Sequence, residues 1–479
     1  MTVYEMTVGL EVHIELAAKT KMFCACPVTF GKEPNTVCCP VCMGFPGALP
    51  VLNRQAVRYA ALAGLAMHCE IAPRSVLSRK QYFYPDLPKA YQITQDAEPL
   101  CRHGYLDVEA DGETARIRVG RIHIEEDAGK LIHRDGVTLV DCNRCGVPLI
   151  EIVSMPDIRS AAQAAAYLRA VAQIARELGI SDCRMEEGSM RCDVNLSVKP
   201  VGTQTVGVRT EIKNVNSFSY VQKAIAAEFE RQTDRLAHGL PILSETLRYD
   251  EKTGKTYPMR RKESAADYRY FDDPDLPPVL LPQEEIDALR RTLPEFSRDC
   301  ARRLAASYGI PQSEAAAIAA DRSRACDFET AAHLTAYPAV LAHITVEWLL
   351  PAVASGTICA KSEGEESALS PSVMAELAQL LGEGVVNSSA AKKIFSHLTT
   401  HGGTPRALAD ALNLRQIRTP EALLPIVRQA VAAEERAVRD YRGGKRAALR
   451  SVVGAVMRLS GGRADPVLAQ TLIERVIAE

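Results

Sequence analysis

Up to about residue 290 the apolar positions come in short β-branched runs broken by Gly, Pro, Asn and Asp, and the runs 116–124, 137–140, 193–198 and 206–212 predict strands. Together they predict an α+β region with an antiparallel sheet at its centre. Helical spacing interrupts it at 54–66, at 160–178, where Gly179 is a C-cap candidate, and at about 219–239. The Pro-rich stretch 272–282 closes this regime. Ala- and Leu-rich helical patterns follow, and Gly402-Gly403-Thr404-Pro405 makes a second break before a small Arg-rich helical segment. The breaks predict three domains: 1–290, α+β; 291–405, all-helical; and 406–479, a helical tail.

Composition agrees with several domains, because 479 residues exceed what one hydrophobic core normally supports. With 47% hydrophobic and 24% charged residues the chain reads as an ordinary water-soluble protein. A formal net charge of -2 argues against a generally polycationic nucleic-acid binder, so any such contact has to be local. The most apolar long stretch, 337–354, contains His343, Glu347 and two prolines, which predicts a core helix and no membrane span. No basic leader precedes an apolar run at the N-terminus, so secretion is not expected. Fourteen cysteines then read as thiols or metal ligands in a reducing cytoplasm.

Two groups of residues carry candidate chemistry. Cys24-x-Cys26 is followed by Cys39-x-x-Cys42, two close thiol pairs that can close a tetrahedral structural zinc site; Gly31, Pro34 and Asn35 suit the loop between them. The plainer alternative is four buried cysteines in a turn-rich segment, and the adjacent Cys38 can substitute as a ligand. The second group is acidic: Glu11 with His13, then Glu125-Glu126-Asp127, Glu151, Glu186-Glu187, Asp193 and Glu211. Residues two apart on a strand face the same way, so Glu11 and His13 can share a cleft. Carboxylates gathered in a cleft repel one another unless a cation neutralises them, and hard oxygen ligands favour magnesium on nucleotide phosphates. Any single Glu is ordinarily a solvated surface residue. Glu151 is the exception, a lone charge within the apolar run 147–153. Lys89, Lys130, Asn143, Arg144, Arg191, Asn195, Lys213, Asn214 and Asn216 lie in the same segments and suit phosphate or carboxylate contacts.

Some chemistry is missing. Gly254-Lys255-Thr256 ends like a phosphate-binding loop, but position 249 is Tyr where the leading Gly belongs. No Gly-x-Ser-x-Gly elbow occurs, and residue 2 is Thr rather than a cysteine nucleophile. If the chain makes an amide, its nitrogen arrives from another polypeptide.

Eight motifs run in order along the chain: residues 8–16 (Val-Gly-Leu-Glu-Val-His-Ile-Glu-Leu), 39–53, 84–95, 122–130 (Ile-His-Ile-Glu-Glu-Asp-Ala-Gly-Lys), 143–151, 185–195, 210–214 and 267–271 with 275–278. Together, over essentially the whole chain, they resemble the B subunit of the bacterial tRNA-dependent amidotransferases. It implies a cradle related to glutamine synthetase and guanido kinases, then a helical domain and a helical tail. The implied reaction uses ATP to phosphorylate the side-chain carboxylate of Glu on tRNA(Gln) or Asp on tRNA(Asn), after which ammonia displaces phosphate. The implied partners are an amidase, which releases the ammonia from glutamine, a small third protein of the same complex, and the mischarged tRNA. Carried over by motif, Glu11, His13, Glu125 and Glu151 are expected magnesium ligands. Asp193 and Glu211 complete the nucleotide-metal site, while Lys89 and Arg191 contact phosphate or substrate. Cys24, Cys26, Cys39 and Cys42 match the zinc-bearing version of the family, in which zinc is structural. The basic cluster Arg436, Arg439, Arg442, Lys445, Arg446 and Arg450 matches the tRNA-contacting tail. Two departures stand out: Ser264-Ala265-Ala266-Asp267 replaces Glu-Ala-His-Asp, and Glu347-Trp348 departs from an Asn-Trp pattern. Two other readings are a small-molecule kinase and a non-catalytic tRNA-binding assembly protein. The first leaves the basic tail without a purpose, and the second leaves the dispersed acids without one.

Overall fold

A computed structural model describes residues 2–261, 268–357 and 369–478, excluding the side chains of Asn214, Arg260 and Arg261. The chain divides into two compact units, Met1–Pro294 and Glu295–Glu479.

Nine strands of the first unit form one sheet: β1 (Tyr4–Glu15), β2 (Glu70–Ile71), β3 (Cys101–Ala110), β4 (Glu113–Glu126), β5 (Pro148–Ser154), β6 (Met190–Pro200), β7 (Thr210–Val215), β8 (Glu245–Asp250) and β9 (Lys255–Arg261). Their order is β9-β8-β7-β6-β1-β5-β4-β3-β2. Neighbours are antiparallel except β7 and β8, which run parallel. This is a mixed α+β region built on a large, mostly antiparallel sheet.

Alternation along β1 explains the two faces. Val8, Leu10, Val12 and Ile14 are buried in the main core, whereas Gly9, Glu11, His13 and Glu15 point the other way. The core face is covered by three helices: α1 (Arg54–Ala66), α2 (Ala161–Glu177) and α3 (Phe218–Ala237). Each starts on a side-chain cap. Asn53 accepts from the Gln55 and Ala56 amides, Ser160 from Gln163 and Ser217 from Tyr220. Ala164, Tyr167, Leu168, Val171 and Ala175 recur at helical spacing and bury the inner stripe of α2. Fully burying each Leu or Val there contributes about 1.5–3 kcal/mol.

A small sheet of Ser78–Gln81, Tyr91–Thr94 and Phe271–Asp272 adds a second layer. Arg79 fastens it, bonding Asp273 at 2.8 Å and Asp275 at 2.7 Å with its guanidinium over the Tyr91 ring. The run 206–212 becomes strand only from Thr210. Val206 is exposed, so alternation there marks no buried face.

The second unit is built of helices and holds two apolar clusters, one between Cys300 and Ala409 and one between Leu423 and Ile477. Stretch 337–354 is Pro338–Ile344, a π-helical turn at Thr345–Leu349 and Leu350–Ala354, with Trp348 packed edge-on to Phe395. No helix among the described residues is long and apolar enough to cross a membrane.

Candidate functional site

The polar face of the sheet carries a cavity of about 750 Å³. Strand register assembles its floor. His13 on β1 lies opposite Glu151 on β5 and Arg191 on β6, Glu151 in turn lies opposite His123 on β4, and Glu11 lies opposite Asp193. Residues separated by more than a hundred positions therefore stand side by side, because antiparallel pairing brings them to one height.

The acids and histidine expected from the sequence fall into two sets. His13, Glu125 and Glu151 form one, Glu11, Asp193 and Glu211 the other, and within each set the candidate ligand atoms lie within 4.8 Å of one another. In the first, the Glu151 carboxylate is 3.4 Å from His13 Nε2 and 3.3 Å from His123 Nε2, and His123 is also 3.5 Å from Glu125. Thr94 donates to Glu125 at 3.0 Å, and Gln92 donates to it as well. Burial opposes the charge on Glu151, yet the two imidazoles outweigh it and hold the carboxyl well below the ordinary range. Burial equally opposes a charged His123, but Glu151 and Glu125 push its pKa up to about 9.

In the second set, Asn195 donates to Glu11 at 2.9 Å, Lys213 lies 3.0 Å from Asp193 and 3.3 Å from Glu211, and Thr246 donates to Glu211 at 3.1 Å. Burial, then Glu151, Asp193 and Glu211, raise the Glu11 pKa, as expected for acids crowded without enough positive charge. Three carboxylates offer hard oxygen donors of the kind magnesium takes. The first set adds an imidazole nitrogen to two carboxylates, a mixed donor group.

Basic candidates separate as well. Arg191 lines the cavity, bonds Asp127 at 2.7 Å and keeps its buried Nε without a partner among the described residues. Lys89 is not among the lining residues; it is paired with the buried Glu126 and sits over the Phe23 and Tyr91 rings. Arg144 joins Glu15 and Asp127. Asn143 accepts from the Val37 amide at 2.7 Å and donates to the Glu33 carbonyl, so it supports the cysteine loop. Asn216 lines the cavity, whereas Lys130, exposed on a hairpin of Lys130–Arg134 and Val137–Asp141, does not. Glu186 lies away from the cavity, and Glu187 pairs with Arg184 at the surface. The Asn214 side chain and residues Ser264, Ala265, Ala266 and Asp267 lie outside what is described.

Lys80, His123 and the tyrosines 82, 268 and 270 also line the cavity, and sequence reasoning singled out none of them. The Lys80 ammonium stands 5.2 Å from the Tyr268 ring and 5.9 Å from Tyr82, and no ion pair holds it among the described residues. Burial opposes its charge, but Glu125, Tyr270 and Glu151 overcome that and raise its pKa.

Away from the cavity, the sulfurs of Cys24, Cys26, Cys39 and Cys42 converge within 4.8 Å. Tetrahedral zinc with bonds of about 2.3 Å places sulfurs about 3.8 Å apart, and Cys39 and Cys42 stand at 4.0 Å. A hydrogen bond from Cys24 lowers the Cys42 pKa to about 4, helped by Lys21, whose buried ammonium lies 3.5 Å from the sulfur. The cluster therefore has the donor set of a closed zinc site. Cys38 lies outside it and donates to the Asn35 carbonyl.

A sequence profile of the GatB/GatE catalytic domain matches residues 6–287. The chain belongs to the GatB/GatE family. A second profile, described as the GatB domain, matches residues 327–477, within the helical unit. Relatives named as the B subunit of aspartyl/glutamyl-tRNA(Asn/Gln) amidotransferase match over nearly their full length. The protein of Caldanaerobacter subterraneus subsp. tengcongensis is 45% identical over 99% of this chain and 100% of its own. That of Persephonella marina is 43% identical over 99% of each chain, and that of Caldicellulosiruptor saccharolyticus 44% over 98% of each. The cavity with its two acidic sets lies within the part matched by the GatB/GatE catalytic profile.

Proposed function

We propose that this chain is the B subunit of a tRNA-dependent amidotransferase, working in the cytoplasm, that turns Glu-tRNA(Gln) and Asp-tRNA(Asn) into Gln-tRNA(Gln) and Asn-tRNA(Asn). The observation that carries this is the convergence of two acidic sets, Arg191 and Lys80 in one polar cavity. A carboxylate is a poor electrophile, and a phosphoryl group from ATP gives it an acceptable leaving group. Catalysis of that transfer consists mainly of placing positive charge around a phosphoryl group as it moves between oxygens.

Glu11, Asp193 and Glu211 would hold magnesium, with His13, Glu125 and Glu151 as a second cation set; magnesium, when bound, supplies charge neutralisation on the nucleotide phosphates. Lys80 and the Arg191 Nε, which has no partner among the described residues, would grip phosphate or the substrate carboxylate. Among the described lining residues no group resembles a nucleophile that releases ammonia. Cys192, the one cysteine among them, is buried and held as a thiol by that burial. Ammonia accordingly comes from a partner, in this reading an amidase, with a small third protein completing the complex.

Cys24, Cys26, Cys39 and Cys42 would hold a structural zinc. The catalytic region is a cradle of the glutamine synthetase and guanido kinase type over 1–290, followed by helical domains at 291–405 and 406–479. In the last, Arg436, Arg439, Arg442, Lys445, Arg446 and Arg450 form a basic cluster suited to tRNA phosphates. The test is chemical. The complex is incubated with γ-labelled ATP and mischarged tRNA while the ammonia source is withheld. Label trapped on the aminoacyl-tRNA as an acyl phosphate is the expected result; tRNA binding with no transfer of label contradicts the assignment and fits a non-catalytic assembly protein.

A further inference from the structure

The helix face of the sheet holds a further buried acid, one that no step above uses. Glu228 on α3 is completely buried, and its carboxylate accepts from Thr210 on β7 at 2.9 Å, Thr256 on β9 at 2.8 Å, Gln232 at 2.7 Å and both ends of the Arg231 guanidinium at 2.8 Å. Gln232 closes the group by donating to Thr210 at 3.0 Å. Burying a carboxylate is costly unless its lone pairs are met, and here they are met from two strands and the helix. Thr210 is followed directly by Glu211, and consecutive strand residues point to opposite faces. The backbone position fixed from below by Glu228 therefore sets where the Glu211 carboxylate stands above. Thr246, which donates to Glu211, lies on β8, between the two strands that Glu228 joins.

We propose that Glu228 is a positioning residue for the cation set of Glu11, Asp193 and Glu211. It acts through the sheet: a tie between α3, β7 and β9 sets the height and register of β7 and hence the aim of Glu211 and Lys213. This rests on the proposal that those three acids hold a divalent ion. Groups that orient metal ligands without touching the metal typically contribute about 10- to 100-fold in affinity.

The experiment measures Mn²⁺ binding to the full-length protein by electron paramagnetic resonance, with ATP and without tRNA. Glu228→Gln keeps the size of the side chain and removes its charge, and Thr210→Val removes one tie and disturbs folding less. Expected is a fall in Mn²⁺ affinity of about 10-fold for Glu228→Gln and a smaller fall for Thr210→Val, with near-native circular dichroism in at least the second. Glu211→Gln serves as the reference. If Glu211→Gln weakens Mn²⁺ binding while Thr210→Val and any folded Glu228→Gln bind as the parent does, Glu228 only stabilises the fold and the inference is overturned. If Glu211→Gln itself leaves binding unchanged, the cation set fails, and the positioning role fails with it for that separate reason.

Discussion

Replacing Glu151 with Gln removes one negative charge from the centre of the cavity and changes almost nothing in volume. The carboxylate touches two imidazoles, His13 at 3.4 Å and His123 at 3.3 Å, and is nearly buried. Hydrogen bonds to charged groups contribute about 1.5–3 kcal/mol each, so two weakened contacts set a loss of a few kcal/mol. Glu151 acts in this proposal by holding a cation, and groups that only orient metal ligands already contribute about 10- to 100-fold, so losing a ligand itself sets a loss at or above the top of that range. The assay uses the chain purified with the amidase and small protein proposed as its partners. Amide formation on Glu-tRNA(Gln) and Asp-tRNA(Asn) is measured alongside glutamine hydrolysis, which reports the amidase by itself. Amidation is expected to fall by about 100-fold or more, with hydrolysis detectable and the melting transition still cooperative. Full activity in a folded variant would remove Glu151 from the site and refute the reasoning.

Three further outcomes follow from the same geometry. Lys80→Met is expected to lower amidation by about 10²-fold and to lower Tm, since the ammonium that Glu125 and Glu151 favour is lost from the folded state; near-parental kcat would show that the ammonium faces no reacting anion. Cys42→Ser, measured by elemental analysis and thermal melting, is expected to lose about one zinc per chain and lower Tm; undiminished zinc would contradict the four-sulfur assignment. Changing Arg436, Arg439, Arg446 and Arg450 to Gln is expected to weaken tRNA binding and flatten its salt dependence by about 0.7–0.9 for each phosphate no longer neutralised; an unchanged slope would place the tRNA elsewhere.

Helix positions were legible because their periodicity is local. The stretch 54–66 is α1 with no shift, and 160–178 differs from α2 only in its cap and terminal residue. The acids were legible for a different reason: Glu151 is a charge in an apolar run, and Glu11 with His13 share a strand face, both visible before any fold is known. How they divide was not legible. Assignment of Glu11 to one set and His13 to the other depends on which strands flank β1, and that order is set by distant pairings. Lys80 gave no signal because its strand is four residues long and a single lysine ordinarily sits at a surface. Lys89, expected from the resemblance to contact phosphate or substrate, is instead paired with Glu126 and does not line the cavity. The buried tie at Glu228 was equally silent, since Glu228 and Arg231 are three residues apart in an ordinary amphipathic pattern.

Acids from five strands are proposed to hold divalent ions and, through them, ATP, and anomalous diffraction sees such ions themselves. Crystals grown with Mn²⁺ and a non-hydrolysable ATP analogue are expected to show manganese peaks at bonding distance from carboxylate oxygens of Glu11, Asp193 and Glu211, with analogue phosphates beside them. A well-ordered analogue bound elsewhere, with no manganese at either acidic set, would contradict the account.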